Sequence, residues 1–127
     1  MIYVEYAGVS FLFTGDAGKQ QEQLVENNIN LGFYNQFVDG RIDLYNIDFL
    51  KVAHHGADDC SSQDFLNIIQ PQNAVLSVGG NNIYGHPSSR VIDRLYLANP
   101  NVNLLRTDVC GNITISVSAS GEYAIYK

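Results

Sequence analysis

Apolar runs too short for helices recur along this chain, and segments of helical pattern lie between the central ones. Ile2–Tyr6 and Val9–Phe13 are separated by Ala7-Gly8, a spacing and a glycine that suit a β-hairpin. Thr14-Gly15-Asp16 ends the second run. Residues 18–28 then read as a polar helix with a thin apolar face of Leu24 and Val25, closed by Asn27-Asn28 and Gly32. Residues 29–46 have no period and read as a loop with one short helix. Residues 47–52 form the next strand and run into Ala53-His54-His55-Gly56.

Ser61-Ser62-Gln63-Asp64 has the form of a capping box, with Ser61 as N-cap and Asp64 three positions on. That helix extends to about Ile69, and Pro71 prevents it from continuing. A strand over 74–78 empties into Gly79-Gly80-Asn81-Asn82. Ser88 can cap the following helix, whose buried face is Val91, Ile92, Leu95 and Ala98, and Pro100 ends it. Residues 102–106 are a strand. Ile113, Ile115 and Val117 alternate with polar residues, and Ser120-Gly121 turns that strand into 122–126. Strands and helices alternate in the middle, with hairpins at both ends. This order predicts a single α/β domain over 1–127, with a mixed sheet and helices packed on it.

The chain has 127 residues, enough for one small domain and not two. Its net charge of −6 lacks the basic footprint of a nonspecific nucleic-acid binder. A nucleic-acid substrate stays open, because bound metal ions would supply local positive charge. No apolar run approaches the roughly 18 residues of a membrane span. The N-terminus alternates apolar and polar residues and has no basic leader, so it reads as a strand, and the chain as cytoplasmic. Cys60 and Cys110 are 50 positions apart with no CxxC, and read as separate thiols; a disulfide stays open if the protein is exported.

Three spots after strands carry polar chemistry, where ligands gather in α/β sheets. At Thr14-Gly15-Asp16, the carboxylate can reach a metal or cap the next helix, and capping is the commoner role for such an aspartate. In His54-His55-Gly56, adjacent imidazoles on an extended segment would point to opposite sides, and imidazole is a common zinc ligand. Residues 81–87 crowd amide, phenol and imidazole groups ahead of a helix N-terminus, a setting that can bind phosphate. All three histidines, His54, His55 and His86, lie in these loops.

Taken in series, FLFTGD at 11–16, LKVAHHG at 50–56, YGHP at 84–87 and RTD at 106–108 resemble the metallo-β-lactamase-like domain of the ComEC family of competence DNA-uptake proteins. The resemblance implies the C-terminal half of an αββα sandwich, a mixed sheet with helices on one face. It implies a metal-dependent hydrolase that cleaves a phosphodiester, nucleic acid above all, with zinc or manganese as cofactor. Asp16 matches the aspartate that bridges two metal ions, and one of His54 and His55 matches the last metal-binding histidine. His86 matches a histidine near the site that contacts substrate or takes part in catalysis. Ser61, Ser62 and Asn82 are further candidate substrate contacts.

The family's HxHxDH motif, which supplies most of its ligands, has no counterpart here. One aspartate and one or two histidines fall short of the three or four ligands zinc takes. Three readings follow: a half-domain completed by a chain carrying the missing N-terminal half, a homodimer packed sheet on sheet, and a non-catalytic interaction module.

Overall fold

A computed structural model of the chain describes residues 1–30 and 42–127. The expected loop over 29–46 lies mostly outside the described residues. At its start, residues 29 and 30 continue the preceding helix.

A five-stranded sheet runs in chain order β1 (Ile2–Tyr6), β2 (Val9–Phe13), β3 (Phe49–Lys51), β4 (Asn73–Leu76) and β5 (Asn103–Arg106). β1 and β2 are antiparallel, in the register Ile2 opposite Phe13. β2 to β5 are parallel to one another. Parallel neighbours need a crossover. α1 (Lys19–Asn30), α2 (Gln63–Ile69) and α3 (Ser89–Ala98) are the helices of the three crossovers. A second sheet of β6 (Thr114–Val117) and β7 (Tyr123–Tyr126) is an antiparallel ribbon. Among the described residues the mixed α/β order is the expected one, with two additions: a short 3-10 turn over Ala53–Gly56 and a further helix after β5. Thr107–Cys110 forms a single-turn helix, α4, too short to leave a periodic signal.

Strand alternation splits the five-stranded sheet into two faces. Leu12, Leu50, Ala74 and Leu76 face the helices, where they join Phe65, Leu66 and Ile69 of α2 and Val91 and Leu95 of α3 in one buried core. Half-buried Val25 and Ile29 of α1 pack against it. Of the expected apolar face of α1, Val25 packs inward as read, but Leu24 is 62% exposed and Glu22 is driven fully inside.

The opposite face carries aromatics. Phe11 stacks on Phe49 at 4.9 Å, and Tyr123 of the ribbon meets Phe49 edge-on at the same distance. Such aromatic pairs add about 0.5–1.5 kcal/mol beyond area burial. The β6–β7 ribbon thus covers part of this face. The β1–β2 end stays open, with Ile2, Val4, Tyr6 and Phe13 exposed.

Two local expectations are corrected. The N-cap of α2 is Ser62, whose hydroxyl accepts the Phe65 amide. Ser61 instead sits at φ 54° and is buried, because its amide is drawn to Glu22. Asp16 is not a helix cap either, since α1 begins three residues beyond it.

A candidate site of three histidines at the strand ends

β2, β3 and β4 all point their C-terminal ends the same way, so the loops that follow them meet. Two backbone bonds fasten them. The His54 amide donates to the Gly15 carbonyl at 2.9 Å, joining the histidine turn to the loop of Asp16. The Ser88 amide donates to the Gly56 carbonyl at 2.9 Å, joining it to the loop of His86.

The histidine pair is not extended as the sequence suggested. His54 and His55 lie in a tight turn with φ of 46° and 57°, the left-handed region. Non-glycine residues held there cost of order 1–3 kcal/mol each and cluster at functional sites. The turn puts both rings on the exposed surface. The ring centroids of His54 and His86 are 6.0 Å apart, and those of His54 and His55 6.3 Å. Tyr84 stacks on His86 at 5.8 Å with an 18° tilt.

His55 has its orientation fixed. Its Nδ1 faces the carbonyl of Ser77, which can only accept, so Nδ1 carries the proton. In the neutral ring, Nε2 is left as the free lone pair. Ligating histidines characteristically donate their other nitrogen to a carbonyl or carboxylate in this way. Of the adjacent pair, His55 is the one so prepared.

His55, Ser77, Asn82, Tyr84, His86 and Thr107 border a cavity of about 360 Å³, within the range of small-ligand pockets. Thr107 went unnoticed as a site residue in the sequence reading, although the RTD motif contains it. Its hydroxyl accepts the Val78 amide at 2.8 Å and pins the end of β4. Beside it, Arg106 pairs with Asp108 at 2.6 Å, and the guanidinium holds the Asp108 carboxyl below its ordinary range.

The other candidate residues have structural partners. Asn82 uses its side chain inside its own loop, donating to the Gly79 and His86 carbonyls and accepting the His86 amide. Ser61 and Ser62 lie at the junction of α1 and α2, where the Glu22 carboxylate accepts both of their amides at 2.6 and 2.8 Å. Neither serine borders the histidine cavity. The segment between the histidine turn and α2 is held by Arg94, which donates to the carbonyls of Asp58, Cys60 and Ser61 and to the Asp58 carboxylate.

Lys51 stands on the aromatic face, half buried, and donates to the Val52 carbonyl at 2.8 Å. Burial lowers its pKa, and the charge of Asp16 opposes that shift. Among the described residues, no group of three or more His, Cys, Asp or Glu is placed to hold a metal ion. Asp16 and the histidines therefore do not make a complete metal centre.

This arrangement defines an α/β domain with an open histidine cluster at its strand ends. The chain is 32% identical over 130 residues to ComE operon protein 3 of Bacillus subtilis, covering 99% of this chain and 14% of that protein. It is 30% identical over 131 residues to competence protein ComA of Neisseria gonorrhoeae, covering all of this chain and 17% of that protein. Recombination protein 2 of Haemophilus influenzae is 30% identical over 96 residues, 76% of this chain and 10% of that protein. These relatives support a kinship with competence proteins, and the chain spans at most about a sixth of their length. No family model matches the sequence, and no solved structure matches the chain. No helix among the described residues is long and apolar enough to cross a membrane.

Proposed function

We propose that this chain is the C-terminal half of a ComEC-like hydrolase domain of metallo-β-lactamase type, acting on phosphodiesters of nucleic acid. The observation that carries the reading is the convergence of the loops of Asp16, His54-His55 and His86, fastened by the Gly15–His54 and Gly56–Ser88 backbone bonds. Kinship with competence proteins supports the substrate class. In this reading, Asp16 and Nε2 of His55 are donors to a zinc or manganese site. The remaining ligands come from outside the described residues. His54 and His86 face the substrate, and α3, capped by Ser88, turns the positive end of its dipole toward the same side.

Zinc titration of the purified chain, read by elemental analysis after desalting, tests this. Retained zinc that is lost in both Asp16→Asn and His55→Ala is the expected result. No zinc in the unaltered chain would sink the metal-hydrolase reading for this chain by itself and leave a half-domain awaiting its other half, and zinc retained by both variants would sink the assignment of Asp16 and His55.

A second reading has its own support. Ile2, Val4, Tyr6 and Phe13 project from one face of the β1–β2 hairpin, and all four are exposed. Beside them, a cavity of about 340 Å³ is lined by Phe11, Phe49, Val75 and Ile115. Open apolar area of this kind marks interaction sites. In this reading, the chain is a pairing module that docks on a second copy or on a chain carrying the missing half. Sedimentation over a concentration series separates the two partners. A monomer throughout rules out the homodimer.

A further inference from the structure

Asn82 closes residues 82–86 into a ring. Its amide nitrogen donates to the Gly79 carbonyl at 2.9 Å and the His86 carbonyl at 2.7 Å, and its oxygen accepts the His86 amide at 2.9 Å. One side chain thus holds a short loop in a single shape. The outer residues of that loop are not the polar ones a solvated turn favours. Ile83 is 90% exposed and Tyr84 is 74% exposed. One face of the Tyr84 ring rests on His86. The rest of the ring meets solvent at the mouth of the cavity shared with His55 and Thr107.

Charge narrows what this tip can hold. A chain of net charge −6 cannot draw a polyanion by its general field. Beyond what a bound metal ion would supply, affinity for nucleic acid at this site draws on contacts that do not depend on charge, and stacking of a base on an aromatic ring is such a contact. A ring that already rests on a neighbour serves well, because less side-chain freedom is lost on binding.

We propose that Tyr84 is a stacking platform for a nucleobase of single-stranded nucleic acid, with Ile83 against the neighbouring base. The stack places the adjoining phosphodiester over His54, His55 and His86. A single strand is required because bases in a duplex already stack on one another and offer no free face. The inference rests on the phosphodiester reading above and adds to it the form of the substrate and the residue that positions it.

The test is fluorescence anisotropy of the whole chain with a labelled oligothymidylate of about 12 nucleotides and with an abasic backbone of the same length. The unaltered chain should bind the oligothymidylate at least about fivefold more tightly than the abasic strand. Tyr84→Ala should lose about 5- to 150-fold in affinity, and Tyr84→Phe should keep it. Rising salt should weaken binding only shallowly, unlike a contact built on lysines. Equal binding of the two strands by the unaltered chain overturns the proposal and leaves the phosphodiester reading standing. So does unchanged affinity in Tyr84→Ala, which would turn the tip over to another occupant such as a protein. No binding of either strand removes both.

Discussion

Gly56 and Pro87 touch so closely that no side chain fits between them. A Cβ built on Gly56 would lie 2.7 Å from the Pro87 Cβ and 2.8 Å from Leu76 Cδ2. Gly56 also has φ 83°, where side chains are strained regardless of space. Gly56→Ala therefore meets two penalties, about 1–2 kcal/mol from the backbone and about 1–3 kcal/mol from overpacking. Chemical denaturation should show a loss in that combined range. A loss below about 0.5 kcal/mol would show that the histidine turn and the His86 loop are not in contact.

Glu26 is held against its own charge. Burial, then Asp64 and Glu22, raise its pKa, and its Oε1 is buried without a hydrogen-bond partner among the described residues. A carboxyl raised in the fold binds its proton more tightly there than in the unfolded chain. Its contribution to stability is present at low pH and is lost as pH rises through the folded pKa. Glu26→Gln should raise Tm at neutral pH, and the gain should shrink as pH falls and the native carboxyl protonates. A gain that grows toward acid pH would contradict this.

Cys60 and Cys110 are both free thiols and should react very differently. Burial, then the charges of Glu22 and Asp59, push the Cys60 thiol up to about 11. At pH 8 about a thousandth of it is thiolate, the reactive form. Cys110 is only partly buried. Titration with a disulfide reagent at pH 8 should find one fast thiol, absent in Cys110→Ser. Two fast thiols would mean that the loop around Cys60 opens readily.

Arg94 binds carbonyls in the segment that leaves the histidine turn, and its side chain is only 19% exposed. Lysine cannot reproduce the planar fork that reaches Asp58, Cys60 and Ser61 together. Arg94→Lys should cost at least about 1.5 kcal/mol, the lower end for bonds to a charged group. Arg90→Lys should cost almost nothing, since Arg90 meets only the Asp58 carboxylate at the surface. Thermal melts of the two variants side by side decide this, and equal melts would refute it.

Much of the architecture was legible because strand and helix periods differ. The hairpin of β1 and β2 was bounded from Ala7-Gly8 alone, and the capped, Pro-terminated helix α3 was read with its buried Val91 and Leu95. The errors arise where tertiary partners decide. Ser61 looked like the better cap, but the Glu22 carboxylate, 39 residues away, takes its amide and leaves the cap to Ser62. His54 and His55 looked extended because they follow a strand, yet the turn is shaped by the bonds to Gly15 and Ser88. The candidate loops were found by their position after strands, and the structure brings those of Asp16, His54-His55 and His86 together. What pattern could not supply was orientation. The carbonyl that orients His55 belongs to Ser77, a residue with no distinguishing mark of its own.

The sheet is laid down in the order of the chain, each strand beside the one before it. Every pairing then closes only the span between consecutive strands, and such topologies keep the sequence separation of contacts low. A chain built this way can assemble progressively as it emerges during synthesis, with each new strand templated on an existing edge. The loops of Asp16 and the histidines, borne by β2, β3 and β4, can then meet before β5 is added, and Thr107, which follows β5, pins the end of β4 last, so maturation of the site becomes a matter of timing as much as of geometry.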